Sequence, residues 1–249
     1  MIRKAKSYSR VRLGKLERVK SYPSRPKQSV EIDYGSKIWN SKYTWQLDKN
    51  HIWDKLNLET RNHLNNVYNS LAGVGEGYTI GEHTELVMNQ YLKYFNNPNT
   101  SFLPIKVDDF EIMLAIHDCG KYDAIKLGDK SKQKLFNKKY VEKIFDETKR
   151  SARSKKIVSE IVSQDYIGDY IKGTNIKTTF DGLKSSADKV GVDLQQFYNL
   201  CKMYYLCDAG SYTVDAGGLE SLDYLFDFTK NKIDFAKPVN TKIKELEDL

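Results

Sequence analysis

The chain sets a histidine beside an aspartate at the end of an apolar run, FEIMLAIHDCGKYD, which contains His117, Asp118 and Lys121. An imidazole and a carboxylate buried together need hydrogen-bonding partners, an opposite charge or a metal ion. There are only 4 histidines in the sequence. One of them, His83, lies upstream in TIGEHTELV, and Asp208 lies downstream in MYYLCDAGSYT. Imidazole nitrogen and carboxylate oxygen together suit divalent ions. The competing explanation is a core histidine satisfied by the neighbouring acid, with Asp208 unrelated to it. The presence of all three pieces favours a shared ion.

Each piece needs an element that aims it inward. A helix from about Gly81 to Phe95 puts Val87, Tyr91 and Tyr94 on the face of His83. Thr79 is a suitable N-cap, and Asn96-Asn97-Pro98-Asn99 ends the helix. The next helix opens at Asp108 or Asp109, and Phe110, Met113 and His117 share one face of it. Gly120 would be its C′ residue, leaving the doublet at a helix C-terminus where the dipole favours a cation. A third helix, Leu194–Asp208, lines up Phe197, Cys201, Tyr204 and Asp208. Further helices are expected over 58–71, 132–151 and 157–171, the last broken near Gly168. The stretch 173–182 reads as a loop, 219–228 as a short apolar helix, and Pro238 onward as an exposed tail. Gly73, Gly75 and Gly77 lack a preceding strand, so they read as a loop rather than a dinucleotide fingerprint.

GEHTELV, AIHDCGK and LCDAGSY together resemble the HD superfamily of metal-dependent phosphohydrolases, over about Asn62 to Tyr212. The resemblance implies an all-α fold, an HD-domain helical bundle. It implies one divalent metal ion (Mn, Co, Ni, Fe, Zn or Mg) held by His83, His117, Asp118 and Asp208. It also implies a catalytic Asp118 acting partly as base and a Lys121 that pairs with a phosphate oxygen. Asp165 is placed as a substrate-binding hydrogen-bond partner. Many family members carry a further histidine pair near that point, whereas this chain has Gln164-Asp165 and no histidine after His117, which favours a mononuclear site. Lys121 and Asp123 match neither the glutamate of HD nucleoside monophosphatases nor the acidic pair of alarmone hydrolases.

The implied activity is hydrolysis of nucleotides, in the simplest form a 5′-(deoxy)nucleotidase releasing phosphate from nucleoside 5′-monophosphates. A phosphodiesterase or nucleoside-triphosphate hydrolase is the alternative within the superfamily. A nucleic-acid-binding module with an inert HD core is the alternative of another class, because the N-terminus is basic. Residues 1–27 carry ten Lys/Arg and one acid, leaving 30 basic and 32 acidic residues on the rest. Such an arm can contact nucleic acid, or it can simply be a solvated leader.

All three tryptophans, Trp39, Trp45 and Trp53, fall in 34–53 with Tyr43. They can dock the leader on the core or stack on a base. The expected division is therefore a basic, aromatic-rich extension over 1–57 and a helical phosphohydrolase domain over 58–249. The segment 121–156 holds thirteen Lys/Arg against five acids, and Lys138, Lys139, Lys143, Lys149, Arg150 and Arg153 could rim a phosphate site or face solvent. Three cysteines without CxxC spacing suit reduced thiols. No apolar run approaches the roughly 20 residues of a membrane span, and the N-terminus has no apolar signal-like run. These features place the protein in a cytoplasm, the host's if it is viral.

Overall fold

The computed structural model describes residues 9–12, 15–18, 52–71, 79–96, 103–217, 222–230 and 232–248. Trp39, Tyr43, Trp45, the glycine-rich 73–77 segment, 97–99 and Leu219 lie outside the described residues. The chain divides into two units, 1–37 and 38–249. In the first unit, β1 (Ser9–Arg12) and β2 (Lys15–Arg18) pair antiparallel, Ser9 opposite Arg18.

The second unit is mostly helical. Its first helix, α1 (Leu58–Tyr68), starts at Asn57, whose side chain accepts from the Thr60 N–H at 2.8 Å. Glu147 anchors this start, accepting hydrogen bonds from the Asn57 backbone and side-chain amides and from Thr60 Oγ1. The helix α2 (Ile80–Tyr94) begins with a capping box. Thr79 Oγ1 accepts from Glu82 N at 3.0 Å, and Thr79 N donates to Glu82 at 2.9 Å. Each such cap satisfies N–H groups that the first turn leaves without helical partners.

At the centre lies α3 (Val107–Ile116), in which Phe110, Ile112, Met113, Leu114 and Ile116 are all buried. A helix whose last two turns are buried all round belongs inside a core, and α3 packs against α2 and two later helices, α5 (Gln133–Glu147) and α6 (Ala152–Val162). Neither acid caps α3. Its N-cap is Lys106, and Asp109 is instead buried one turn in, 3.2 Å from Arg150.

Gly120 is not a C′ residue. The chain turns tightly through 117–119 and Gly120 opens the next helix, α4 (Gly120–Leu127). What requires glycine there is packing. A Cβ would lie 2.4 Å from Asn137 N and 2.6 Å from Gln133 O, both backbone atoms of α5.

The 157–171 stretch breaks at 163–165, earlier than expected, between α6 and α7 (Tyr166–Lys172). Gly168 lies inside α7, where a Cβ would strike the Asp165 carboxylate that caps this helix. The expected loop at 173–182 is largely helical, α8 (Ile176–Val190), capped by the Asn175 side chain on Lys177 N and Thr178 N. Its buried stripe of Thr179, Leu183, Ser186, Ala187 and Val190 keeps helical spacing through Gly182.

After α9 (Leu194–Gly210), the described part of 219–228 is a short 3₁₀ turn and β3 (Phe226–Thr229), not a helix. It pairs antiparallel with β4 (Lys232–Phe235), and Tyr205 packs on Phe226 and Phe235. The expected exposed tail is α10 (Lys237–Glu247), with Ile243 and Leu246 buried. No helix among the described residues is long and apolar enough to cross a membrane.

Candidate metal centre

Three elements deliver the four expected side chains to one point. His83 projects from the first turn of α2, His117 and Asp118 come from the turn after α3, and Asp208 comes from the last turn of α9. The helices α2, α3 and α9 hold these ends together, because α2 packs on both of the others. Both histidines are fully buried, Asp118 is 6% exposed, and the Asp208 side chain is 31% exposed, giving the cluster one open flank.

His83 Nε2 lies 3.2 Å from His117 Nε2, 3.1 Å from Asp118 Oδ2 and 3.1 Å from Asp208 Oδ1. His117 Nε2 is 3.6 Å from Asp118 Oδ2 and 3.4 Å from Asp208 Oδ1. All four donor atoms fall within 4.8 Å of one another. Donors about 2.0–2.2 Å from one ion are roughly 2.9–3.6 Å apart on tetrahedral or octahedral edges. The nitrogen–nitrogen and nitrogen–oxygen spacings fit that range.

The imidazole tautomers follow from the outer hydrogen bonds. His117 Nδ1 lies 2.6 Å from Leu114 O, a carbonyl that can only accept, so Nδ1 carries the proton. Ser211 Oγ donates its only proton to Asp208 O at 2.6 Å, so it accepts from His83 Nδ1 at 3.3 Å. Both Nε2 lone pairs are thereby left facing the carboxylates and each other, as metal-binding histidines require. Asp118 Oδ2 faces this centre and the Lys121 ammonium, and its other oxygen accepts from Gln133 Nε2 at 3.0 Å. A divalent ion would meet both Nε2 atoms and the two carboxylates at once. The group His83, His117, Asp118 and Asp208 could hold a metal ion.

The local field favours positive charge. Burial opposes protonation of His83, but the carboxylates of Asp118 and Asp208 outweigh it and push its pKa up to about 9. Burial also opposes ionisation of both acids. Lys121 and the two imidazoles nevertheless hold the Asp118 carboxyl well below the usual range, and the imidazoles do the same for Asp208.

Lys121 sits at the rim, its Nζ 2.5 Å from Asp118 Oδ2. Asp165 lines, together with Asp118 and Asp208, an open cleft of about 310 Å³. Its carboxylate caps Gly168 N at 3.1 Å and pairs with Lys172 at 3.0 Å, so both oxygens already have local partners. The cleft lysines are Lys130 and Lys134, which the expected basic rim left out. Of that rim, Arg150 is occupied by Asp109, and Lys138 faces Glu142 at 3.8 Å.

Sequence reasoning also missed Gln133, Ser211 and Tyr212. The Tyr212 ring stacks on His83 with centroids 4.7 Å apart. Ser211 and Tyr212 follow Asp208 at i+3 and i+4, a spacing that could have placed them beside it. Gln133 carried no such signal, because its contact with Asp118 depends on how α5 packs against α4. Comparison with protein-family models, curated proteins and solved structures returned no match.

Proposed function

We propose that this protein is a metal-dependent phosphohydrolase of the HD type acting on nucleotides, with nucleoside 5′-monophosphates as the simplest substrates. The observation that carries this reading is the convergence of two Nε2 lone pairs and two carboxylates beside a cleft containing lysines. A divalent ion held by His83, His117, Asp118 and Asp208 would supply Lewis-acid polarisation of a phosphoryl group and make water more acidic.

The chain's own residues support the rest of the reaction. The Lys121 ammonium, beside Asp118, is placed to pair with a non-bridging phosphate oxygen. Asp118, with its other oxygen held by Gln133, would orient the attacking water beside the ion. In the overall reaction a water oxygen bonds to phosphorus, the ester P–O bond breaks, and the leaving oxygen gains a proton. Val162, Gln164 and Tyr204 on the cleft wall offer apolar, amide and aromatic surface suited to a nucleobase.

The test is phosphate release from a panel of ribo- and deoxyribonucleoside monophosphates with Mn²⁺, Co²⁺ or Mg²⁺. Activity that disappears in His117→Ala is expected. No release from any substrate, with His117→Ala indistinguishable from wild type, refutes the proposal. Release of a monophosphate or of triphosphate in place of free phosphate moves the assignment to the diesterase or triphosphohydrolase alternatives.

A further inference from the structure

Tyr204 stands one helical turn before Asp208 on α9, and residues four apart are neighbours on a helix surface. Its ring meets the His117 imidazole edge-on, with centroids 5.8 Å apart and planes at 74°. It also lines the open cleft, as do Asp118, Asp208 and Asp165. The side chain therefore lies beside the donor cluster without being one of its four members. Burial, and then the charges of Asp208, Asp118 and Asp165, push its pKa well above the usual tyrosine value, so all three carboxylates act on its hydroxyl.

Among the described residues, none forms a hydrogen bond with the Tyr204 hydroxyl. Two other donors of the cleft wall are already committed. Ser131 Oγ donates to Asp129 Oδ1 at 2.6 Å, and Gln133 Nε2 donates to Asp118 Oδ1 at 3.0 Å. A phenol, with an ordinary pKa of about 10, keeps its proton at neutral pH and offers one O–H without adding charge. An oxyanion that enters beside three carboxylates is repelled by them, and every donor it meets there offsets part of that cost.

We propose that the Tyr204 hydroxyl donates a hydrogen bond to a non-bridging oxygen of a phosphate group seated at the ion held by His83, His117, Asp118 and Asp208. The inference rests on the phosphohydrolase reading and deepens it by giving the phosphate a second binding group beside Lys121. The two donors come from different helices, Lys121 from α4 and Tyr204 from α9. An ammonium is a point charge without a fixed direction, so the phenol adds orientation that a lysine alone does not supply. Only the O–H is engaged, and the ring still walls the cleft.

Calorimetry on the Mn²⁺-loaded full chain, with inorganic phosphate as the probe, tests the contact without turnover of a nucleotide. Tyr204→Phe keeps the ring against His117 and removes the hydroxyl alone. Its phosphate affinity is expected to fall about tenfold, the scale of one hydrogen bond to a charged group. Its Mn²⁺ affinity and melting curve are expected to match wild type, whereas a purely structural role would lower all three together. The parallel kinetic readout is kcat/KM for adenosine 5′-monophosphate, which should fall by at least the same factor.

Phosphate affinity unchanged in Tyr204→Phe overturns the inference, as does a loss matched by an equal loss of Mn²⁺ affinity, or a Mn²⁺-treated wild type that binds no phosphate. Nucleotide hydrolysis that is indifferent to the substitution sinks the contact and leaves the hydrolase reading standing. Phosphate binding that depends on Tyr204, without turnover of any nucleotide, supports the contact and sinks the hydrolase reading.

Discussion

Gly120→Ala tests how closely the fold and the candidate centre are tied together. The added methyl would lie 2.4 Å from Asn137 N, 2.5 Å from Asn137 Oδ1 and 2.6 Å from Gln133 O. Two of these are backbone atoms, so no rotamer change relieves the overlap. Restoring ordinary contact requires α4 and α5 to separate by roughly 1 Å, against an interior packed like a crystal. Overpacking of this kind costs about 1–3 kcal/mol. Loss of the Gly120 N to Asn137 Oδ1 hydrogen bond, 2.8 Å long, adds about 1 kcal/mol. The better helix propensity of alanine returns at most about 1 kcal/mol.

The net destabilisation is about 1–3 kcal/mol, which lowers the melting temperature by roughly 2–12 °C for a domain of this size. The same separation pulls Gln133 away from Asp118, now 3.0 Å apart, so Mn²⁺ affinity should fall as well. Thermal melts followed by circular dichroism, with and without Mn²⁺, read both effects. A variant that melts within about 1 °C of wild type and binds Mn²⁺ equally well refutes the reasoning, because the helix contact would then be slack.

Further outcomes follow from other contacts. Saturating Mn²⁺ or Zn²⁺ at about a hundred times Kd should stabilise the wild type by about 2.7 kcal/mol, and His83→Ala and Asp208→Asn should abolish that shift in a melting assay. Arg150→Ala leaves the 1%-exposed Asp109 without its guanidinium and should cost about 3–5 kcal/mol in urea unfolding, whereas Lys138→Ala, an exposed pair, should cost under about 1 kcal/mol. Burial raises the Asp215 pKa, but hydrogen bonds from Lys93, Tyr94 and Gln90 outweigh it and hold the carboxyl below its usual value. Its stabilising contribution is therefore present above the unfolded carboxylate pKa, near about 4, and fades as pH falls through the lower folded value. The stability gap between wild type and Asp215→Asn should be flat from neutral pH to about 5 and shrink below about 4 in urea titrations.

The sequence by itself indicated the four side chains that come together and the helices α2 and α9 that carry His83 and Asp208. An apolar stripe of period 3.6 is a local property, so the faces of His83 and Asp208 could be read from their neighbours Val87, Tyr91, Phe197 and Tyr204. The Thr79 cap is equally local, since its hydrogen bonds span three residues. Only the tertiary structure decided the features that depend on long-range packing. Gly120 is needed because α5 approaches it from seventeen residues away, and Gln133 reaches Asp118 through that same approach. The stripe of α8, Thr179, Leu183, Ser186, Ala187 and Val190, does keep helical spacing, but Gly173, Thr174 and Gly182 read locally as a loop, and packing against α7 and α9 overrides them. Phe226, Ile233 and Phe235 became a hairpin under Tyr205, and Ile243 and Leu246 became a docked helix, because a partner surface existed to cover them. Periodicity says which face a residue is on, but only the packed chain says what that face meets.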